Sequence, residues 1–232
     1  LFAEGAGSLL LKFMPFVLFF ELPLSLLVVV GVIKYTLERR YEGERDPFFP
    51  PVSCIITCYS EGRDVQKTII SLTEQIYPGK IEMLAMIDGA SKNKLTYDSA
   101  MEMSEYVSGF RNRKLVVVPK WQRGGRVSSL NTGLNFASGE IVMALDGDTS
   151  FDNNMVERVT RHFEDPAISA VSGCLRVRNA DESLTASLQA IEYFVSIQAS
   201  KTGLSAFNMV NNISGAFGVF RKNVLDLVEG WD

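Results

Sequence analysis

IVMALDGD, residues 141–148, decides how the rest of this chain is read. Apolar residues run straight into two carboxylates, Asp146 and Asp148, with Gly147 between them. A continuous apolar run followed at once by polar residues and glycine reads as a strand buried on both faces of a parallel sheet. In open α/β sheets, ligands bind just beyond the carboxyl ends of the strands. Period-two geometry points both carboxylates to one side, with no side chain between them. Like charges held that close repel unless a cation sits beside them, and hard divalent cations prefer oxygen ligands. The pair therefore reads as a metal site for a phosphate-bearing substrate. The alternative is an ordinary strand end with two solvated acids, and Asp-x-Asp alone does not separate the two.

Outward from that strand, elements alternate. Val52–Tyr59 and Ile81–Ile87 are predicted strands, as are Leu115–Val118 and Ile168–Arg176. Helical spacing covers Val65–Gln75, Leu95–Phe110, Arg126–Ala137 and Asn154–Phe163. Strand–helix alternation implies right-handed crossovers and an α/β, Rossmann-like domain with a mostly parallel sheet. Leu184–Leu204 is a long helical stretch with Leu184, Leu188, Ile191, Val195 and Ala199 on one line. It either packs on the domain or lies at a membrane surface, and the spacing is compatible with both. Asn211–Phe220 reads as a Gly- and Ser-rich turn leading into a strand, followed by a helix over Asn223–Val228.

Ahead of the sheet, Met14 to Tyr35 is apolar apart from Glu21, Ser25 and, at its end, Lys34. About 22 residues at ~1.5 Å each match a hydrocarbon core of ~30 Å, so this is read as a membrane span. Lys34, Arg39, Arg40 and Arg45 cluster at its end and just after it, which by the positive-inside bias puts everything downstream in the cytosol. Glu21 near mid-membrane is expected to face other transmembrane helices, outside this chain. Pro15 and Pro23 are expected to kink the span. The predicted organisation is a flank over 1–12, a transmembrane helix over 13–36, a linker over 37–51 and one domain over 52–232. The chain opens on Leu1 and stops at Asp232 inside a motif, which reads as trimming at both ends.

The formal charge of −4 gives no general attraction to nucleic acid, so any bound anion must be held by local groups. The 3 cysteines make no disulfide framework. Cys54 and Cys58, roughly 13 Å apart on one strand at ~3.3 Å per residue, are read with Cys174 as small core residues in a reducing compartment.

Chemistry collects at one edge of the predicted sheet. The first strand ends in Thr57-Cys58-Tyr59-Ser60-Glu61, the second in Asp88-Gly89, the fourth in Asp146-Gly147-Asp148. Gln122-Arg123-Gly124-Gly125-Arg126 lies before a helix, where glycine amides and an arginine suit a phosphate. Tyr59 beside Asp88 offers a base a stacking face and an acceptor for a ring N–H. Trp121 either lines this pocket or packs, and His162 sits mid-helix, away from it.

VSCIITCYSEG, MIDGAS, RGGRVSSLNTGL, ALDGDT and SGAFGVFRKNVLDLVEGWD occur in that order between Val52 and Asp232. Together they resemble the motifs of family-two, GT-A-type glycosyltransferases of the membrane-bound processive kind, the group of the cellulose, hyaluronan, chitin and poly-N-acetylglucosamine synthases. The resemblance implies an inverting, metal-dependent hexosyltransferase acting on a nucleotide-sugar donor, UDP-linked by expectation. Tyr59, Glu61 and Asp88 would hold the nucleoside, Arg126 the diphosphate, and Asp146 the nucleotide. Asp148, with Asp146, would hold a divalent metal, magnesium or manganese. Ser214, Gly215, Ala216 and Phe217 would face a polysaccharide or lipid-linked acceptor. Ser60 stands where the family has asparagine, and Arg126 where lysine is common. The general base is expected beyond Asp232; Asp232 itself ends a different motif. A single transfer to a lipid phosphate, or a nucleotide-binding subunit without activity, stays open as an alternative.

Overall fold

A computed structural model describes residues 6–40 and 48–232. Helices α1 (Ala6–Phe16) and α2 (Leu22–Arg40) are joined through a π-turn over Val17–Glu21. Their Leu11–Glu38 stretch, 28 residues containing an 18-residue segment of mean hydropathy 2.6, is long and apolar enough to cross a membrane. The π-turn lies between Pro15 and Pro23, where the missing N–H groups disturb the ordinary ladder and a kink was expected. Glu4, Arg45 and the Asp46-Pro47 start of the linker lie outside the described residues.

From Val52 the apolar runs become interior strands. Strands β1 (Val52–Cys58), β2 (Ile81–Asp88), β3 (Arg113–Lys120) and β4 (Ile141–Asp146) are parallel, linked by α3 (Asp64–Thr73), α4 (Lys94–Ser108) and α5 (Gly125–Phe136). After α6 (Met155–Thr160), the expected strand over Ile168–Arg176 shrinks to β5 (Ala170–Ser172). The predicted long helix is α7 (Leu184–Tyr193), a π-turn over Phe194–Ala199 and α8 (Ser200–Ser205). Strand β6 (Phe217–Arg221) and α9 (Lys222–Leu227) follow. The sheet order is β3-β2-β1-β4-β6-β5, with β6 antiparallel to both β4 and β5. The Rossmann-like, mostly parallel sheet is therefore present, with an antiparallel edge.

Two compact units result. Cys174–Asn212 groups with the N-terminal helices, and 46–173 with 213–232 form the sheet unit. In the sheet unit, Ile55, Leu84, Met86, Val142 and Ala144 pack against Leu130 and Leu134 of α5 and Leu225 of α9. Each buried aliphatic side chain contributes about 1.5–3 kcal/mol. A Cβ at Gly133 would stand 2.5 Å from Ile55, so glycine lets α5 sit directly on β1. At the strands' amino ends, Glu82 is buried but accepts from Ser53, Ser138 and Lys114, at 2.9–3.1 Å. Arg113 donates to the carbonyls of Thr73, Gln75, Tyr77, Gly79 and Asn112. That rim is closed by satisfied polar groups, which leaves the carboxyl rim for chemistry.

Candidate donor site

Chain order runs outward from β1 to β2 and β3, then returns to β4 on the other side of β1. The order therefore reverses between β1 and β4, and a crevice opens at their carboxyl ends. Thr57 pairs in register with Asp146 there, and the Gly147 amide donates to the Thr57 carbonyl at 3.0 Å. A cleft of about 280 Å³ is lined by Tyr59, Glu61, Asp88, Arg123, Arg126, Asp146 and Asp148, among others. The predicted donor and metal residues are thus brought together.

Gly147 is buried, and a Cβ there would stand 2.9 Å from Cys58 Sγ and 3.0 Å from the Thr57 carbonyl. Only a residue without a side chain lets the two strand ends close up. That closeness sets the electrostatics. Burial, then the charges of Glu61, Asp146 and Asp148, push the Cys58 thiol well up, so it stays protonated. Burial also raises Glu61, with Asp148 and Asp146 adding to the shift. One Glu61 oxygen, Oε2, is buried with no hydrogen-bond partner. Among the described residues, no three His, Cys, Asp or Glu side chains form a ready metal cage. An orphaned carboxylate oxygen facing two further carboxylates still fits a hard cation of the magnesium or manganese type. Such ions are commonly held by one or two carboxylates together with substrate phosphates.

Asp88 is engaged by the loop that follows β3. Its Oδ1 accepts from the Gly124 amide at 2.8 Å and from Lys120 Nζ at 3.1 Å; Oδ2 accepts from the Gly125 amide at 2.9 Å. Burial disfavours its charge, but those amides and the ammonium outweigh it and hold the carboxyl below its ordinary range. The glycine amides expected to meet phosphate are thus turned onto Asp88. The Arg123 guanidinium lies over the Tyr59 ring, 3.9 Å from its centre, on the aromatic surface expected to take a base. Trp121 is largely exposed and lies outside the cleft lining.

Arg126 ties the cleft to the following segment. It pairs with Asp146, donates to Thr57 Oγ1 at 2.6 Å, and donates to the Gly215 carbonyl. Of the four acceptor-side residues, Phe217 is buried edge-on against Phe151, so it anchors the segment, and Ser214 donates its amide to Ser172 Oγ at 3.1 Å. Asn131 closes another link: its amide group donates to the Trp231 carbonyl and accepts from the Trp231 amide, both at 2.8 Å. Thr57, Lys120 and Asn131 were not singled out from sequence. The pairing of Asp88 with Lys120 follows from the β2–β3 register, which pairing direction alone would have exposed. Cys54 and Cys58 are buried as expected, but Cys174 is exposed rather than core, because it lies past the end of β5. His162 is exposed, away from the cleft.

Ser60 has φ of 74°, a left-handed conformation that asparagine tolerates better than serine. Ser60→Asn is expected to stabilise the protein by about 0.5 kcal/mol, raising the calorimetric melting temperature by roughly 1–2 °C. An unchanged or lowered melting temperature would refute strain at this turn.

The sequence profile of glycosyl transferase family 2 matches residues 53–228. Poly-beta-1,6-N-acetyl-D-glucosamine synthase of Staphylococcus aureus (strain COL) is 30% identical over 230 residues, 96% of this chain and 53% of that protein. The synthase of the same name from Staphylococcus epidermidis is 31% identical over 226 residues, 94% of this chain and 52% of that protein. The chain spans about half the length of these curated relatives. Among solved structures, mannosyltransferase PcManGT from Pyrobaculum calidifontis, in complex with GDP-Man and Mn2+, matches with a TM-score of 0.61 at 20% identity. The match covers 91% of this chain and 58% of that one, and the likeness is one of fold.

Proposed function

The chain belongs to glycosyl transferase family 2, and from that premise we propose that it is the membrane-anchored, donor-binding part of an inverting polysaccharide synthase. The observation that carries this reading is the meeting of Tyr59, Glu61, Arg126, Asp146 and Asp148 in one cleft at the reversal point of the sheet. The names of the relatives make N-acetylglucosamine the first sugar to test, with UDP as its carrier. Leu11–Glu38 crosses the bilayer in this reading, and the basic residues that follow it favour a cytosolic side for the cleft by the positive-inside bias.

Asp148 and Asp146 would hold a divalent cation, magnesium or manganese, which when bound supplies charge neutralisation at the leaving diphosphate. Tyr59 supplies the aromatic face for the base, and Arg123 shares that surface with it. Asp88 works by shaping the Gly124-Gly125 turn that presents Arg123 and Arg126. Arg126 lies between Asp146 and Gly215, so a diphosphate entering beside Asp146 meets a guanidinium already aimed at the acceptor-side segment. Ser214 to Ala216 present backbone and small side chains to an incoming sugar hydroxyl. The group that accepts the proton of that hydroxyl is not assigned to a residue of this chain.

The test is a thermal-shift panel of UDP-, GDP- and TDP-sugars, each with and without manganese, on the full-length protein. A ligand at a hundred times its Kd stabilises the native state by about 2.7 kcal/mol. UDP-N-acetylglucosamine with manganese is expected to give the largest shift. A panel in which no nucleotide sugar shifts the transition would overturn the proposal.

A further inference from the structure

The aromatic surface of the donor cleft is occupied by a residue of the chain itself. The Arg123 guanidinium carbon stands 3.9 Å from the centre of the Tyr59 ring. Stacked groups in contact lie about 3.5–4.0 Å apart, so no flat ring fits between the two. Both side chains line the cleft, so the covered face is the one a bound base would need. Tyr59 is nevertheless 44% exposed, which leaves the pair reachable from solvent.

The backbone around Arg123 is tied down on both sides. Before it, the Ala90 amide donates to the Lys120 carbonyl at 2.8 Å, and Ser91 Oγ donates to the Trp121 carbonyl at 2.9 Å. After it, Asp88 holds the Gly124 and Gly125 amides. Gly89, at φ of 62°, brings the end of β2 against the same point. A Cβ there would stand 3.5 Å from Arg123 Cβ and 3.8 Å from its Cα. Only the side chain beyond Cβ is therefore free to yield to a ligand. Arginine suits such a place, because its guanidinium is planar, stacks on aromatic faces and is more weakly hydrated than an ammonium.

We propose that Arg123 is an internal competitor for the nucleobase: it covers the stacking face of Tyr59 in the free protein, and the base of the donor must displace it. This rests on the reading of the cleft as a nucleotide-sugar site, and it sets how tightly that site holds any ligand with a base. A site that is open only part of the time binds its ligand more weakly, in proportion to the open fraction. Ligands that carry phosphate and no base never meet this face, and Arg123 leaves their binding alone. The Asp88 contacts lie between Arg123 and Arg126, so substituting Arg123 leaves Arg126 aimed as before.

The test is isothermal titration calorimetry of the full-length protein with UDP and, separately, with pyrophosphate, both in the presence of manganese. Arg123→Ala is expected to bind UDP roughly three- to sixfold more tightly than the parent, the factor that an exposed cation–π pair withholds. Manganese pyrophosphate should bind parent and variant alike. Arg123→Lys keeps the charge but stacks less well, so its UDP affinity should fall between the two. UDP binding weakened in Arg123→Ala, with pyrophosphate unchanged, would make Arg123 a second face for the base and overturns the proposal. Loss of affinity for both ligands, restored by lysine, would make it a phosphate ligand and overturns it too. So does an unchanged UDP affinity. Each of those results leaves the nucleotide-sugar reading standing. If UDP binds neither the parent nor the variants, that reading itself fails and takes this inference with it.

Discussion

Replacing Asp148 with alanine in the full-length protein is expected to lower sugar transfer about a thousandfold while leaving the melting temperature unchanged or slightly raised. The two halves of that expectation have separate causes. Asp148 is exposed, and the hydrogen bond it accepts from Thr149 Oγ1 is long, at 3.4 Å. Little folding energy is therefore lost with it. Its charge also raises both Glu61 and Cys58, so removing it relieves repulsion among crowded acids. Functional sites commonly hold such local cost in exchange for binding. On the activity side, a carboxylate that grips a cation at a leaving diphosphate acts where charge grows, and losing such a group costs about 4 kcal/mol of transition-state stabilisation. Asp146→Ala is a poorer probe, because it also frees Arg126 from its partner. Activity kept above one tenth of the parent, or a melting temperature lowered by several degrees, would show that Asp148 is structural or idle. A parent with no transfer at all, and with Asp148→Ala binding UDP-sugar as well as it does, would favour a nucleotide-binding subunit.

The parts of the fold that could be read from the chain were those where burial alone dictates pattern. β1, β2 and β4 are covered on both faces, so their runs of aliphatic residues announce them. Pairing direction at the far edge was not readable. β6 follows the α7–α8 segment, which groups with the N-terminal helices, and no local residue pattern marks a strand as antiparallel. That the strand-end residues line one cleft was readable, because the reversal of strand order fixes where a crevice must open. Individual roles within it were less accessible. Arg123 is as good a phosphate ligand as Arg126 by composition, yet it stacks on Tyr59, since Gly124 and Gly125 are pinned to Asp88 and turn their preceding residue toward the ring. Periodicity found the apolar line of Leu184–Val195 but not which way it faces, because a helix buried on that line and one exposed on it share the same spacing.

Asp88→Asn is expected to have the largest effect on stability, about 3 kcal/mol, lowering the melting temperature by roughly 6–12 °C. The Asp88 carboxylate is nearly buried and neutralises Lys120, whose side chain is 14% exposed. Asparagine can still accept from one glycine amide, but it must turn an N–H₂ group toward the other amide or toward the ammonium. A buried cation is then left without its counter-charge, which is the expensive way to break an ion pair. Nucleotide affinity should fall at least about tenfold as well, since the turn presenting Arg123 and Arg126 loses its anchor. The pH dependence gives an independent check. The folded carboxyl is held below its ordinary value of 3.8, so its stabilisation is fully present above that value and disappears as pH falls through the lower, folded one. The gap in stability between parent and Asp88→Asn should therefore be flat from about pH 5 to pH 8 and close only below about pH 4. A gap that already closes between pH 6 and pH 8 would mean that another group titrates with it, and that Asp88 is not the anion holding the loop.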